Sequence, residues 1–235
     1  MSTKRFLAVD LGASGGKCFA GLFDNGTFSM REIHRFAYEC VSFHLPARNA
    51  TCPQCYNVAG AAHSVADGPD RAGQSVERMV WDDTLIYAHI LNGLRAYRRE
   101  VGQSLDAIGI DTWGADGQFV TEDGDLLGKV YAYRDHRLDT MIDQVKARIP
   151  AERIYAITGI HFQPFNVSNQ VLWFLQNRKH LLTPGSRFVP IPSLFYYYLG
   201  GIVKVDSSWA SVTQLMDAKL KNWSGEILDK LGIPP

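Results

Sequence analysis

The sequence predicts an α/β domain built on a mixed sheet. Three observations carry that expectation. The opening residues read as consecutive strands joined by short glycine-containing turns; a long amphipathic helix follows; strand patterns then return before the chain turns helical.

The elements follow in order. Residues 5–10 form a short apolar run ending at Asp10, and 16–23 continue as a second strand. Asp24-Asn25-Gly26 closes it with hairpin-turn chemistry, and 28–38 alternates as a third strand. Residues 41–77 hold Pro46, Pro53, Pro69 and several glycines without periodicity, so they read as an insertion or flap, longer than ordinary connections. Leu85, Ala88, Leu91 and Leu94 recur at helical spacing over 84–100. Residues 107–113 and 117–121 make a fourth and a fifth strand, and 130–133 a further short one. Helical patterns cover 138–149, 151–158, 167–182, 193–199 and 223–231.

Composition narrows the function classes. Lys+Arg and Asp+Glu are balanced at 24 each, which gives no basic surplus for nucleic acid and no cationic face for a membrane surface. Met1-Ser2-Thr3-Lys4-Arg5 runs straight into a strand without a signal-peptide pattern, and no apolar stretch is long enough to span a bilayer, so a cytoplasmic location is expected. The four cysteines are expected as thiols there. Cys52-Pro53-Gln54-Cys55 has the spacing of half a zinc site, with Cys40, His44 and His63 as possible completions; a metal-free loop and a redox pair are the alternatives.

Two strand-ending motifs carry the chemistry. Ala8-Val9-Asp10-Leu11-Gly12-Ala13-Ser14-Gly15-Gly16-Lys17 and Ile108-Gly109-Ile110-Asp111-Thr112-Trp113-Gly114-Ala115-Asp116 each deliver an aspartate from an apolar run and then break into glycine and small residues. A buried strand followed by a glycine turn fixes a carboxylate and lets backbone N–H groups approach a ligand. That arrangement suits a metal–polyphosphate, and two copies point to a nucleotide-handling cleft. Neither G-x-x-x-x-G-K-[ST] nor G-x-G-x-x-G occurs, so a phosphate loop of strand–helix type and a dinucleotide fingerprint are not expected.

These motifs resemble those of the FGGY carbohydrate kinases, and within them the rhamnulokinases. Residues 9–17 resemble the family's Asp-Leu-Gly-Ala-Ser-Ser-Gly-Arg, with Gly15 and Lys17 replacing a Ser and the Arg. Glu32-Ile33-His34-Arg35-Phe36, Ile108–Asp116, Tyr133-Arg134-Asp135, Gln163-Pro164-Phe165-Asn166 and Thr213-Gln214-Leu215 match further motifs in order. The resemblance implies an actin-like, ribonuclease-H-like ATPase fold with a mixed five-stranded sheet flanked by helices. It also implies ATP- and Mg²⁺-dependent phosphorylation of a ketose in a cleft between two domains. Under it, Asp10 holds Mg²⁺ and is catalytic; Ala13, Ser14, Gly15, Gly16 and Lys17 face phosphate. Asp111, Trp113, Gly114, Asp116, Arg134 and Asp135 line the sugar.

Plainer roles stand beside these: Trp113 as core packing, Asp111 as a turn cap, and Arg134–Asp135 as an ion pair. Gly15 is expected to loosen the turn. The family's His-Asp-Thr segment, with the catalytic base, does not occur in the sequence. Residues 1–235 therefore read as a first domain with an insertion at 41–77, lacking its C-terminal ATPase domain and inactive alone. The alternative is a non-catalytic sugar- or nucleotide-binding module.

Overall fold

The computed structural model describes residues 3–45 and 76–234. Its first strands, β1 (Lys4–Gly12), β2 (Gly15–Asp24) and β3 (Thr27–Ala37), form a continuous antiparallel meander. The Asn25-Gly26 corner adopts positive φ at both residues, the geometry a tight hairpin requires. Strand β6 (Ala107–Asp111) then pairs with β1 in parallel. Among the described residues the main sheet has four strands in the order β3-β2-β1-β6.

The count of five is thus corrected. Strand β7 (Gly117–Val120), read as the fifth member, leaves the sheet and pairs with β9 (Arg187–Pro190). The turn-off lies at Asp116, whose φ of 72° breaks the extended run and whose carbonyl accepts from the Ile191 N–H.

The ends of the expected insertion are also ordered differently. Strand β4 (Cys40–Leu45) pairs with β5 (Val76–Trp81), and β5 pairs with β8 (Val130–Tyr131). So 41–45 and 76–77 are strand, not flap. Cys52, Cys55 and His63, named for a zinc or redox site, lie outside the described residues.

Helix α1 (Asp83–Glu100) begins where the Asp82 side chain accepts from the Leu85 N–H, and carries Arg98 and Arg99 in its last turn. Both features favour a helix of this polarity. Its Ile86, Ile90 and Gly93 pack on the sheet face made by Leu7, Val9, Leu11 and Cys18. Gly93 sits against the Cys18 sulfur with no room for a Cβ. Burial pushes the Cys18 thiol up to about 11, so it is an inert packing group.

A second core is helical. It combines α2 (Met141–Lys146), α3 (Ala151–Thr158), α4 (Val167–Asn177) and α7 (Gly225–Leu231) around Ile154, Leu172 and Ile227. The helix expected over 138–149 is split by Asp139 and Thr140, with His136–Leu138 as a 3₁₀ turn. The one expected over 167–182 stops at Asn177, beyond which Lys179–Leu181 form another 3₁₀ turn. Helix α5 (Ile191–Tyr198) starts two residues earlier than expected, with Pro192 in its first turn, where a missing N–H costs nothing. Helix α6 (Ser207–Val212) and the hairpin of β10 (Met216–Asp217) and β11 (Asn222–Trp223) complete the chain.

Candidate functional site

Strand β1 buries Leu7, Val9 and Leu11 and, by the period-two pleat, turns Asp10 to the other face. In register, Asp10 lies opposite Asp111 on β6 and Lys17 on β2, and Lys17 lies opposite Arg35 on β3. Paired residues share a face, so one row runs across the four strands: Arg35, Lys17, Asp10, Asp111. Both aspartates are exposed. They stand at the carboxyl ends of neighbouring parallel strands, the usual place for ligands in α/β sheets. The face is open here: a Cβ added at Gly109, between Ile108 and Ile110 on β6, would meet nothing within 4 Å. Arg35 is held by a two-pronged ion pair with Glu32 at 2.8 and 2.6 Å.

The turn between Gly12 and Gly15 contains only Ala13 and Ser14. It borders a cleft of about 540 Å³ lined by Asp10, Ser14, Gly15, Gly16, Lys17 and Arg35 among others. The expectation that Gly15 loosens this turn is corrected. A Cβ there would sit 2.5 Å from the Phe36 carbonyl oxygen, so glycine is what lets β2 close onto β3. Gly16 is pressed in the same way by the Phe36 ring. Tyr38 pins the turn from below: its hydroxyl donates to the Gly12 carbonyl, and its N–H donates to the Ser14 carbonyl at 3.3 Å.

Asp111, Thr112 and Gly114 line a second, larger cleft of about 790 Å³, bounded by α5 and α6 through Ser193, Tyr196 and Trp209. Here the Tyr196 hydroxyl accepts from the Ile110 N–H at the sheet edge, 2.7 Å away. No Cβ contact restrains Gly114.

Trp113 is half-buried and belongs to an aromatic cluster. Its ring centroid lies 4.3 Å from that of Trp81 and 6.3 Å from that of Tyr38. Tyr38 thereby touches both the phosphate-type turn and the indole pair. Trp81 and Tyr38 were not singled out in the sequence; the signal available was an isolated Trp before the Asp82 helix cap.

Two expected ligand residues point elsewhere. Asp116 is fully buried, and its carboxylate is taken up by N–H groups of Trp81, Trp113, Tyr133 and Gln170. Burial pushes its carboxyl up, opposed by the Trp81, Trp113 and Tyr133 donors and by Arg137. Asp135 is buried as well: its oxygens accept from the Met79 N–H at 2.7 Å and the Arg137 N–H at 2.9 Å. Neither carboxylate faces a cleft, because each satisfies backbone or side-chain donors that burial would otherwise leave unpaired. The ion pair read between Arg134 and Asp135 is corrected too. Asp135 lies 3.6 Å from buried Arg137, while Arg134 is exposed and stacks over Tyr133.

The open row suits a metal–phosphate. Mg²⁺ is commonly held by one or two carboxylates plus phosphate oxygens and water. Asp10 and Asp111 would offer it carboxylates, and Lys17 a neighbouring positive charge for phosphate.

A strand-end carboxylate pair beside a glycine turn defines a candidate phosphoryl-handling domain. Comparison with known proteins gives the family. The N-terminal domain of the FGGY family of carbohydrate kinases matches residues 71–235, and the chain belongs to that family. Curated relatives named rhamnulokinase include those of Mannheimia succiniciproducens, 32% identical, and Pectobacterium atrosepticum, 33% identical. Each match covers 100% of this chain but 42% and 41% of the relative. The chain therefore spans about two fifths of the length of the relatives it matches. Among solved structures, xylulose kinase from Rhodospirillum rubrum superposes with TM-score 0.70 at 13% identity, over 99% of this chain and 42% of that one. Plasmodium falciparum glycerol kinase with ADP gives 0.68 at 16%, over 98% and 41%. At such identities these show the fold, the actin-like ATPase arrangement. No helix among the described residues is long and apolar enough to cross a membrane.

Proposed function

We propose that this chain is the sugar- and phosphate-binding half of an ATP- and Mg²⁺-dependent ketose kinase of rhamnulokinase type, acting in the cytoplasm on L-rhamnulose or a similar ketose. The observation that supports it best is the row Arg35, Lys17, Asp10, Asp111 across one open sheet face. Phosphoryl transfer asks the protein mainly for positioning and charge neutralisation. When bound, ATP with Mg²⁺ would supply the phosphoryl group and the metal charge that offsets its oxygens. This chain's residues do the placing. Asp10 would hold the metal, directly or through water, with Asp111 beside it. The Ala13–Gly16 backbone and Lys17 face phosphate. Trp113, Gly114 and Asp111 border the sugar, and Arg134 remains a candidate hydroxyl partner.

In this reading residues 1–235 form the N-terminal domain, carrying an insertion that begins and ends in the β4–β5 hairpin. A C-terminal ATPase domain is its partner. The chain alone is then expected to lack turnover, since loss of a general base typically costs about 10²–10⁴-fold. The experiment is a coupled ADP-release assay on pure residues 1–235 with L-rhamnulose and MgATP. Robust phosphorylation that disappears in Asp10→Asn would overturn this division of labour. Ketose binding by calorimetry, without turnover, is the expected result.

A further inference from the structure

Asp116 cannot reach a ligand, yet it holds the group that the proposed sugar site depends on. The residue is fully buried at φ 72°, a region that a non-glycine residue occupies at a cost. One oxygen, Oδ2, accepts three N–H groups: Trp81 Nε1 at 2.7 Å, Trp113 Nε1 at 3.0 Å and the Tyr133 backbone at 3.0 Å. The other, Oδ1, accepts from Gln170 Nε2 at 3.2 Å. Gln170 is itself oriented, because its carboxamide oxygen accepts from Arg137 at 3.1 Å and its NH₂ also meets the Phe165 carbonyl at 2.9 Å. The amide thus has to present N–H to Asp116.

An indole has a single N–H donor, so fixing that hydrogen bond fixes the rotation of the ring. Two indoles drawn to one oxygen are held 4.3 Å apart with their planes 40° from each other. Trp81 is 1% exposed and serves as backing, while Trp113 is only half-buried. A sugar stacks on an aromatic face only if that face is presented to it, so the tilt of Trp113 governs the contact.

We propose that Asp116 is a positioning residue for sugar recognition, acting through Trp113 by fixing the plane of that indole against Trp81. This rests on the reading of Trp113 as the sugar-facing residue. It replaces the direct contact between Asp116 and sugar hydroxyls that the sequence motif implied.

The test uses the full 235-residue chain carrying 5-fluorotryptophan, whose five tryptophans give five fluorine resonances; Trp→Phe variants assign those of Trp81 and Trp113. In Asp116→Asn the Trp113 resonance is expected to shift and broaden, while those of Trp209 and Trp223 stay. Calorimetry with L-rhamnulose is expected to show weaker binding in Asp116→Asn. The double variant with Trp113→Ala should bind within about twofold of Trp113→Ala alone, the sign of a shared path. Asp116→Asn combined with Gln170→Glu lets the introduced amide donate to a carboxylate that Arg137 still holds, at the cost of the Phe165 carbonyl contact, and should restore both resonance and affinity in part.

If the two substitutions add in full, Asp116 acts independently of Trp113 and the proposal is overturned. An unmoved Trp113 resonance in Asp116→Asn overturns it as well. Should that variant fail to fold, Gln170→Leu removes only the outer brace; it should move the same resonance by less, and no movement overturns the idea. A wild-type chain that binds no ketose overturns the sugar reading, and the resonances then decide the positioning role on their own.

Discussion

Two groups of charged residues do opposite work. The open row joins Asp10 and Asp111 to Lys17 and Arg35 in solvent. The buried knot joins Asp116 and Asp135 to Arg137, with each carboxylate enclosed and filled by N–H donors. The side-chain chemistry is the same. What differs is desolvation: an exposed carboxylate keeps acceptor capacity for a ligand, and a buried one must spend it on the protein.

The sharpest way to break the contrast is to delete a cation from the knot. Arg137→Ala strips the guanidinium from beside Asp135 and from Gln170, leaving buried negative charge unmatched. A loss of about 3–5 kcal/mol is expected by urea unfolding. Asp10→Asn in the row should change stability by no more than about 0.5 kcal/mol. If the two variants unfolded alike, the division between working and structural carboxylates would be wrong.

A second test compares two glycines. Gly15→Ala forces a Cβ onto the Phe36 carbonyl oxygen at 2.5 Å and the Ala37 Cα at 3.2 Å. Overpacking of this kind costs about 1–3 kcal/mol. Gly109→Ala, on the open face, enters empty space and should leave the melting temperature unchanged or slightly higher.

Trp113→Ala separates binding from folding. The lost aromatic contact should cost on the order of 1 kcal/mol beyond the area removed, read as a several-fold rise in ketose Kd by calorimetry. An unchanged Kd in a folded variant would return Trp113 to core packing.

The smallest effect concerns pH. Burial, with His89 and Arg99 nearby, lowers the pKa of His34 in the folded chain. The unfolded chain therefore takes up its proton first, and stability falls as pH drops below about 6.5, the ordinary histidine value. His34→Gln should flatten that acid limb in thermal melts across the pH range, and an unaltered limb would assign it to other groups.

The meander was legible from sequence, because it rests on local pattern. Asp24-Asn25-Gly26 marked the hairpin, and the apolar run over 5–10 marked the strand that delivers Asp10. The difference between Asp111 and Asp116 was not legible. Five positions separate them, and their roles are decided by Trp81 and Gln170, which arrive from 35 residues before Asp116 and 54 after it. Strand β7 looked like a sheet member for the same reason: its partner β9 is remote and only four residues long. Strands β4 and β5 were hidden by distance, since the residues that pair them are separated by an aperiodic stretch.

Leu45 faces Val76 across the hairpin, so the thirty residues between them leave and return at adjacent points. Bringing two such points together costs only about 0.6 kcal/mol more for each doubling of the chain length between them. The β4–β5 pairing thus works as a clasp: it brings two distant points of the sequence side by side in a three-stranded sheet, whatever lies between them.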